Sequence, residues 1–275
     1  MPVSVALLQI DVSSSEAPDA REARVLNMIA EAAAGAQLLL LPELWHVGAF
    51  DVRAARAHAQ AVDGPLAQHL AAAARAHGIW LHAGSIAERD STGRLFNTSL
   101  LFDPRGSLVA SYRKIHLFGF QTGESAVMSG GVELVTATTP LGVTGIATCY
   151  DLRFPELFRA LTQDGAEATL IASGWPHSRI EQWSVLLRAR AIENQSWVLA
   201  CNEVGVQDTG REQVSLGGCS AVISPSGEVL ASGAGDEGIV YATVEPAAVA
   251  QLRAGFPVLD DIRMRSIFTD ADPGR

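Results

Sequence analysis

What most constrains this chain is a pattern that repeats along it: a short apolar run of strand length breaks off abruptly, and a stretch with helical spacing follows. Val3–Ile10 is the first such run. Ala20–Ala34 then places Val25, Ile29 and Ala33 on one helical face, with Gly35 as the expected stop. Gln37–Leu41 is the next run and ends at Pro42-Glu43. A second helix is expected from Pro65, a favourable first helical residue, to Gly78, followed by a strand at Ile79–Ile86. Further on the pattern resumes, with a strand at Gly145–Thr148 and a helix at Pro155–Gln163. Ala168–Ser173 is a strand, Ile180–Asn194 a helix and Trp197–Asn202 a strand. Strands alternating with helices and interrupted by hairpins predict a layered α/β fold with mixed sheets.

The interruptions are themselves informative. Phe96–Phe102 and Ser107–Tyr112 flank Asp103-Pro104-Arg105-Gly106, where proline presets φ and glycine accepts a positive one. The thirteen residues from Ser99 to Ser111 align without gaps against Ser220 to Ser232, each centred on a Pro-x-Gly turn. Two matched hairpins point to a duplicated, pseudo-symmetric architecture. No Pro/Ser-rich linker or block of like charge divides the chain. Residues 1–275 therefore read as one domain, with a looser tail over 256–275.

Composition narrows the classes of function. A net charge of −10 with no Lys/Arg cluster argues against a nucleic-acid partner, because phosphate binding needs concentrated positive charge. No apolar run approaches the roughly 18 residues that span a bilayer, and Met1–Ile10 lacks the basic start of a signal peptide. A cytoplasmic protein with no membrane association is expected. Three cysteines, Cys149, Cys201 and Cys219, are too few for a disulfide framework, and none forms a CxxC pair. Each is a buried small hydrophobe or a reactive thiol.

Three polar residues stand where apolar strands end. Glu43 follows Leu38-Leu39-Leu40-Leu41-Pro42, the carboxyl end of a buried strand, where α/β proteins place ligand-binding groups. It reads as a general base or as a carboxylate capping Leu44–Trp45. Lys114 lies just past the second hairpin strand; its ammonium can stabilise a developing oxyanion or lower a nearby thiol's pKa, or be a solvated strand-end lysine. Cys149 ends the run Val143–Thr148, and a helix follows Arg153-Phe154-Pro155. That strand–turn–helix setting resembles a nucleophile elbow without its glycines; a plain buried cysteine is the alternative. Cys201 and Cys219 lack this setting and read as structural. Together the three supply a base, an electrostatic stabiliser and a nucleophile.

The blocks around them resemble the three catalytic blocks of the nitrilase superfamily, the carbon–nitrogen hydrolases. They are Leu40-Leu41-Pro42-Glu43-Leu44, Tyr112–Phe118 and Cys149-Tyr150-Asp151-Leu152-Arg153-Phe154-Pro155-Glu156, in the family's order. Ser173-Gly174-Trp175-Pro176, Arg188–Asn194 and Gly217–Ser220 extend the likeness over roughly Val3 to Val244. The resemblance implies an α-β-β-α sandwich that pairs into a homodimer or higher homo-oligomer. It implies Glu43 as general base, Lys114 as stabiliser of the tetrahedral intermediate and Cys149 as nucleophile. Glu124 takes the position of a second family carboxylate that would orient Lys114 and the substrate amine. No metal or organic cofactor is implied.

The residues after the cysteine separate the branches. Family nitrilases typically continue Cys-Trp-Glu, whereas this chain has Cys149-Tyr150-Asp151. N-carbamoyl-D-amino-acid hydrolases carry two adjacent arginines there; here Leu152 precedes a lone Arg153. The block looks most like the ω-amidase and deaminated-glutathione-amidase branch, whose substrates are small amides bearing a carboxylate. The expectation is cysteine-dependent amide hydrolysis through a thioester, releasing ammonia. Hydrolysis of N-carbamoyl amino acids or ureido acids is the alternative within the fold, and an acyl-transferring or non-catalytic relative is the alternative outside it. Arg153 could grip the substrate carboxylate, or pair internally with Glu156 or Glu193. Trp175 and Tyr150 are candidate pocket walls, and His116 a hydrogen-bonding support for the lysine segment.

Overall fold

Each apolar run becomes an inner strand of one of two six-stranded sheets in the computed structural model, which describes residues 1–119, 123–209 and 211–263. The first sheet contains β1 (Val3–Gln9), β2 (Leu38–Leu40), β3 (Trp80–Arg89), β4 (Leu95–Phe102) and β5 (Leu108–Arg113). The second contains β6 (Thr136–Thr139), β7 (Gly142–Thr148), β8 (Ala168–Ser173) and β9 (Trp197–Asn202). A two-stranded arm, β10 (Val204–Asp208) and β11 (Gln213–Gly217), precedes its last members, β12 (Ala221–Ile223) and β13 (Val229–Ser232). The chain then returns to the first sheet as β14 (Gly238–Val244). The helices are α1 (Pro18–Ala33), α2 (Val52–Ala57), α3 (Pro65–His77), α4 (Pro155–Gln163), α5 (Ile180–Asn194) and α6 (Ala247–Gly255).

The two sheets share one topology. The first runs β14-β1-β2-β3-β4-β5 and the second β6-β7-β8-β9-β12-β13. In each, neighbouring pairs are antiparallel, parallel, parallel, antiparallel and antiparallel in turn. The aligned hairpins match in detail. A register shift falls between Leu101 and Phe102 in one and between Val222 and Ile223 in the other, at equivalent positions. The turns close alike, Gly106 N–H donating to Asp103 O and Gly227 N–H to Ser224 O, both at 2.8 Å. Both glycines have positive φ, 76° and 85°, which a side chain would oppose.

Burial explains why the strands read as continuous apolar runs. Along β1, Val5 and Leu7 face a core shared with Ile146 and Leu170 of the second sheet, while Ala6 and Leu8 face Val25, Ile29, Leu66 and Leu70 of α1 and α3. Helices α4 and α5 cover the far side of the second sheet through Phe158, Leu161 and Leu187. Sheets buried on both faces have no need of polar alternation. The result is the expected α-β-β-α sandwich. Among the described residues, no helix is long and apolar enough to cross a membrane.

Two local expectations differ. Helix α1 ends with Ala34 in a right-handed conformation, so Gly35 is not its left-handed stop. Gly35 serves packing instead: a Cβ there would stand 3.2 Å from the Tyr241 ring of β14. Near the C-terminus, α6 and a turn continue to residue 263, so the stretch 256–263 is placed; the remainder of the expected tail, 264–275, lies outside the described residues.

Candidate active site

The parallel strands bring their carboxyl ends to one side of the sandwich, and the polar residues beyond β2, β5, β7 and β8 meet there. Glu43 is almost fully buried. Its Oε1 accepts from Lys114 Nζ at 2.7 Å and Asn97 Nδ2 at 2.8 Å, and its Oε2 from the Gly174 N–H at 2.9 Å. Lys114 Nζ also donates to Glu124 Oε2 at 2.8 Å. Glu124, on a 3₁₀ turn at Gly123–Ala126, accepts further from Asn97 Nδ2 at 2.7 Å and from the Phe118 N–H at 2.9 Å. One ammonium thus joins two buried carboxylates, and Asn97 braces both.

Burial alone would push the Lys114 ammonium toward neutrality, but Glu124 and Glu43 outweigh it and hold its pKa well above the ordinary lysine value. Lys114 is the only lysine among the chain's 20 Lys and Arg residues. A compact ammonium, rather than a planar guanidinium, therefore stands between the two carboxylates. Glu124 is pushed up, chiefly by burial, against the pull of Lys114 and with Glu43 adding to the rise.

Cys149 opens a 3₁₀ turn, Cys149–Arg153, at the end of β7. Its φ of 46° is left-handed, a conformation that costs a non-glycine residue roughly 1–3 kcal/mol and persists only where surroundings enforce it. This is the strand–turn–helix setting expected at Cys149, achieved without glycine. Cys149 is 9% exposed. Burial, with Glu43 adding to it, holds its pKa well above the usual thiol value, although Lys114 and Ser173 pull the other way. The thiolate-favouring effect expected of Lys114 is present but outweighed by burial.

All seven predicted residues, Glu43, Lys114, Glu124, Cys149, Tyr150, Arg153 and Trp175, line one cavity of about 470 Å³. Arg153 forms no ion pair with Glu156 or Glu193. Its Nη2 donates to Gln182 Oε1 at 2.7 Å and its guanidinium lies 4.7 Å over the Trp175 ring, while Glu193 pairs with Arg190. Trp175 is fixed from behind by its Nε1–H to Arg179 O at 2.8 Å. Tyr150 meets Phe118 and Phe154 edge-on, both at 5.3 Å. Cys201 sits inside β9 with its thiol directed at Leu8 O, and Cys219 precedes β12; neither lines the cavity.

Sequence reasoning gave four contributors no role, although Ser173 and Gly174 stand within a recognised block. Asn97 was visible as a polar residue inside the apolar strand Leu95–Phe102. Gly174 acts through its backbone, and its bare Cα leaves room for Glu203: a Cβ there would stand 2.6 Å from Glu203 Oε2. Glu203 is fully buried, and burial followed by the nearby Glu43 holds it well above the usual carboxylate range. Ser173 ends β8, is fully buried, and draws the thiol's pKa down against the larger effect of burial.

The carbon-nitrogen hydrolase family pattern matches residues 4–254. The chain belongs to the carbon-nitrogen hydrolase family. It is 40% identical over 269 residues to a 2-oxoglutaramate amidase from Paenarthrobacter nicotinovorans, covering 95% of this chain and 90% of that one. It is 33% identical to the human omega-amidase NIT2 over 92% of both chains. Among solved structures, a CN-hydrolase superfamily protein from Xanthomonas campestris, with an arsenic adduct in its active site, superposes with a TM-score of 0.86 at 30% identity over 95% and 97% of the two chains. Within the family the chain stands with the ω-amidases and deaminated glutathione amidases, and it is an amidohydrolase acting on carbon–nitrogen bonds.

Proposed function

We propose that this protein hydrolyses small ω-amides bearing a carboxylate, through a thioester on Cys149. The observation that carries the reading is the meeting of Cys149, Glu43 and Lys114 in one cavity with Arg153 on its wall. Cys149 Sγ attacks the amide carbonyl while Glu43 takes the thiol proton. A thiol whose pKa burial raises is served by such a base at the moment the C–S bond forms. Lys114 and the Tyr150 N–H stabilise the oxyanion. The tetrahedral intermediate collapses, ammonia leaves with the proton held by Glu43, and Glu43 then activates water to cleave the thioester. The free acid departs and the thiol is restored. Glu124 keeps Lys114 aimed, and Arg153, already planar and stacked on Trp175, receives the substrate carboxylate.

The decisive experiment measures ammonia release over a panel of ω-amides of 2-oxo and dicarboxylic acids beside N-carbamoyl amino acids, with intact-mass detection of the acyl-enzyme. The expected result is turnover of the carboxylate-bearing amides and an adduct that disappears in Cys149→Ala. Retained amidase activity in that variant defeats the proposal. We further propose a cytoplasmic homodimer or higher homo-oligomer. Its support is the face of α5 that leaves Val185 62% and Ile192 48% exposed two turns apart; light scattering tests it.

A further inference from the structure

The groups proposed for catalysis ride on different sheets. Glu43 and Lys114 follow strands of the first sheet, whereas Cys149 follows a strand of the second. Among the described residues no β-ladder joins the two sheets, so something else must set the distance between thiol and ammonium. Two single hydrogen bonds cross at this place: Ser99 Oγ to Thr148 Oγ1 at 3.0 Å and Gly174 N–H to Glu43 Oε2 at 2.9 Å. The densest crossing is made by Asp151, a residue with no solvent exposure that lines no part of the cavity.

Asp151 Oδ2 accepts from the Thr148 N–H at 2.9 Å and from Tyr112 Oη–H at 2.7 Å. Its Oδ1 accepts from the His116 N–H at 3.0 Å and from His116 Nδ1 at 2.8 Å. A carboxylate offers about four acceptor sites, and four donors fill them. One donor belongs to the nucleophile turn, where Thr148 and Asp151 also form a reciprocal capping box. The other three come from residues 112 and 116, two before and two after Lys114. Tyr112 Oη in turn accepts from the Ile115 N–H at 3.2 Å, which tightens the segment around the lysine. The His116 ring is held flat on Phe154, 3.7 Å away and 7° from parallel, so the imidazole cannot swing off its acceptor.

We propose that Asp151 is a positioning residue that locks the Cys149 turn to the Lys114 segment across the gap between the sheets, fixing the thiol-to-ammonium register on which turnover depends. The inference rests on the proposed roles of Cys149 and Lys114. It assigns Asp151 no contact with substrate. Its effect is geometric: released from the clamp, the left-handed Cys149 turn and the lysine segment each relax within their own sheet. Displacement of a reacting pair by about 1 Å can cost about 10²-fold in rate.

The test uses Asp151→Asn, which keeps size but offers acceptors to only part of the four donors, together with Tyr112→Phe, which removes one donor and keeps the ring. Because the chain has a single lysine, its ¹⁵Nζ resonance in uniformly labelled protein reports on Lys114 without assignment by mutation. In folded Asp151→Asn we expect kcat to fall about 10²-fold with KM within about threefold, and the ¹⁵Nζ resonance to shift. Tyr112→Phe should move both readouts in the same sense by less. A role in stability alone would lower the melting temperature and leave kcat and the lysine resonance of the folded protein in place. Either variant showing a kcat within twofold of the parent, or a fall in kcat with the lysine resonance unmoved, overturns the proposal. Should Asp151→Asn not fold, Tyr112→Phe decides by the same criteria. Activity surviving in Cys149→Ala would instead overturn the underlying mechanism, so the two failures are distinguishable.

Discussion

Strands β1 and β7 hold the same place in the two halves of the molecule, each pairing antiparallel with an edge strand and parallel with the next, yet their carboxyl ends are built differently. At the end of β1, Gln9 is buried and closes its surroundings with a neutral amide. It accepts from the Ser220 N–H at 3.0 Å and donates to Ala234 O at 2.8 Å and Asp236 O at 2.6 Å. It thereby ties β1 to the loop after β13, as Asp151 ties β7 to the segment after β5. Gln9 lines no part of the cavity, and its backbone is not left-handed. At the end of β7 the tie is a buried anion, Cys149 is left-handed, and a cavity opens. The frame therefore requires neither strain nor buried charge at this position, since one copy does without both. Of these two strand ends, only the one beside the thiol combines a left-handed residue with a buried carboxylate, a setting in which a destabilised conformation can serve chemistry.

The largest effect that would break this comparison is on turnover. Cys149→Ala should lower kcat by about 10⁵-fold or more, the scale on which deleting a nucleophile acts in covalent hydrolases. Its melting temperature should stay close to the parent's, because alanine keeps the Cβ that strains the left-handed backbone and loses only the Sγ. Gln9→Leu should do the reverse. It abolishes one buried and two part-buried hydrogen bonds and leaves the buried Ser220 N–H unsatisfied, at a cost of about 1–3 kcal/mol, while kcat stays within about twofold. A Gln9 variant that is well folded but inactive would show that the two ends are coupled rather than divided between support and chemistry.

Much of this division can be read directly from the residues. Pro155–Gln163, Ala168–Ser173, Ile180–Asn194 and Trp197–Asn202 fall where expected, because proline or an abrupt polar break marks their limits. Glu43, Lys114 and Cys149 are legible for a related reason: each interrupts an apolar pattern at a strand end. The matched hairpins announced the duplication. Helix α2 went unseen because six residues carry too little periodicity, and β6, Thr136–Thr139, because it has no apolar run. The arm of β10 and β11 is half-exposed, with mixed polarity. Asp151 lay inside a recognised motif, but its importance comes from donors at 112, 116 and 148 that only folding assembles. Glu203 likewise follows a buried strand but stands beside Glu43 through a contact of high sequence separation.

A second difference between the halves is acid sensitivity. His46 and His82 belong to the first half and are fully buried, with no hydrogen-bond partner on any ring nitrogen among the described residues. Burial pushes His46 down to about 3, with His58 and Arg21 adding to the effect, and His82 down to about 4. Below the ordinary value of 6.5 the unfolded chain takes up protons that the folded chain refuses, so stability falls as pH drops through 6.5 toward 4 for His82 and toward 3 for His46. His82, opposite Leu40 and Leu101 in the first sheet, should account for about 3 kcal/mol of that loss. Urea unfolding of the parent and of His82→Leu between pH 7 and pH 4 checks this. The variant should lose stability less steeply, and parallel curves would remove His82 as the cause.

The smallest effect expected separates recognition from packing at the cavity wall. Arg153 sits four residues past Cys149 on the same turn, with its guanidinium stacked over Trp175 and bonded to Gln182. Lysine in its place keeps the charge but loses the planar fork and most of the stacking. If Arg153 grips the substrate carboxylate, Arg153→Lys should raise KM for a carboxylate-bearing ω-amide about tenfold, roughly 1.4 kcal/mol, with kcat within about twofold. KM for an uncharged amide of the same length should stay unchanged. If the residue only props Trp175, both substrates should suffer alike and the melting temperature should fall with them. The ratio of the two KM values therefore decides the question even if the variant is somewhat destabilised. It places the carboxylate contact on the half of the molecule that also holds the thiol, or removes it from the site.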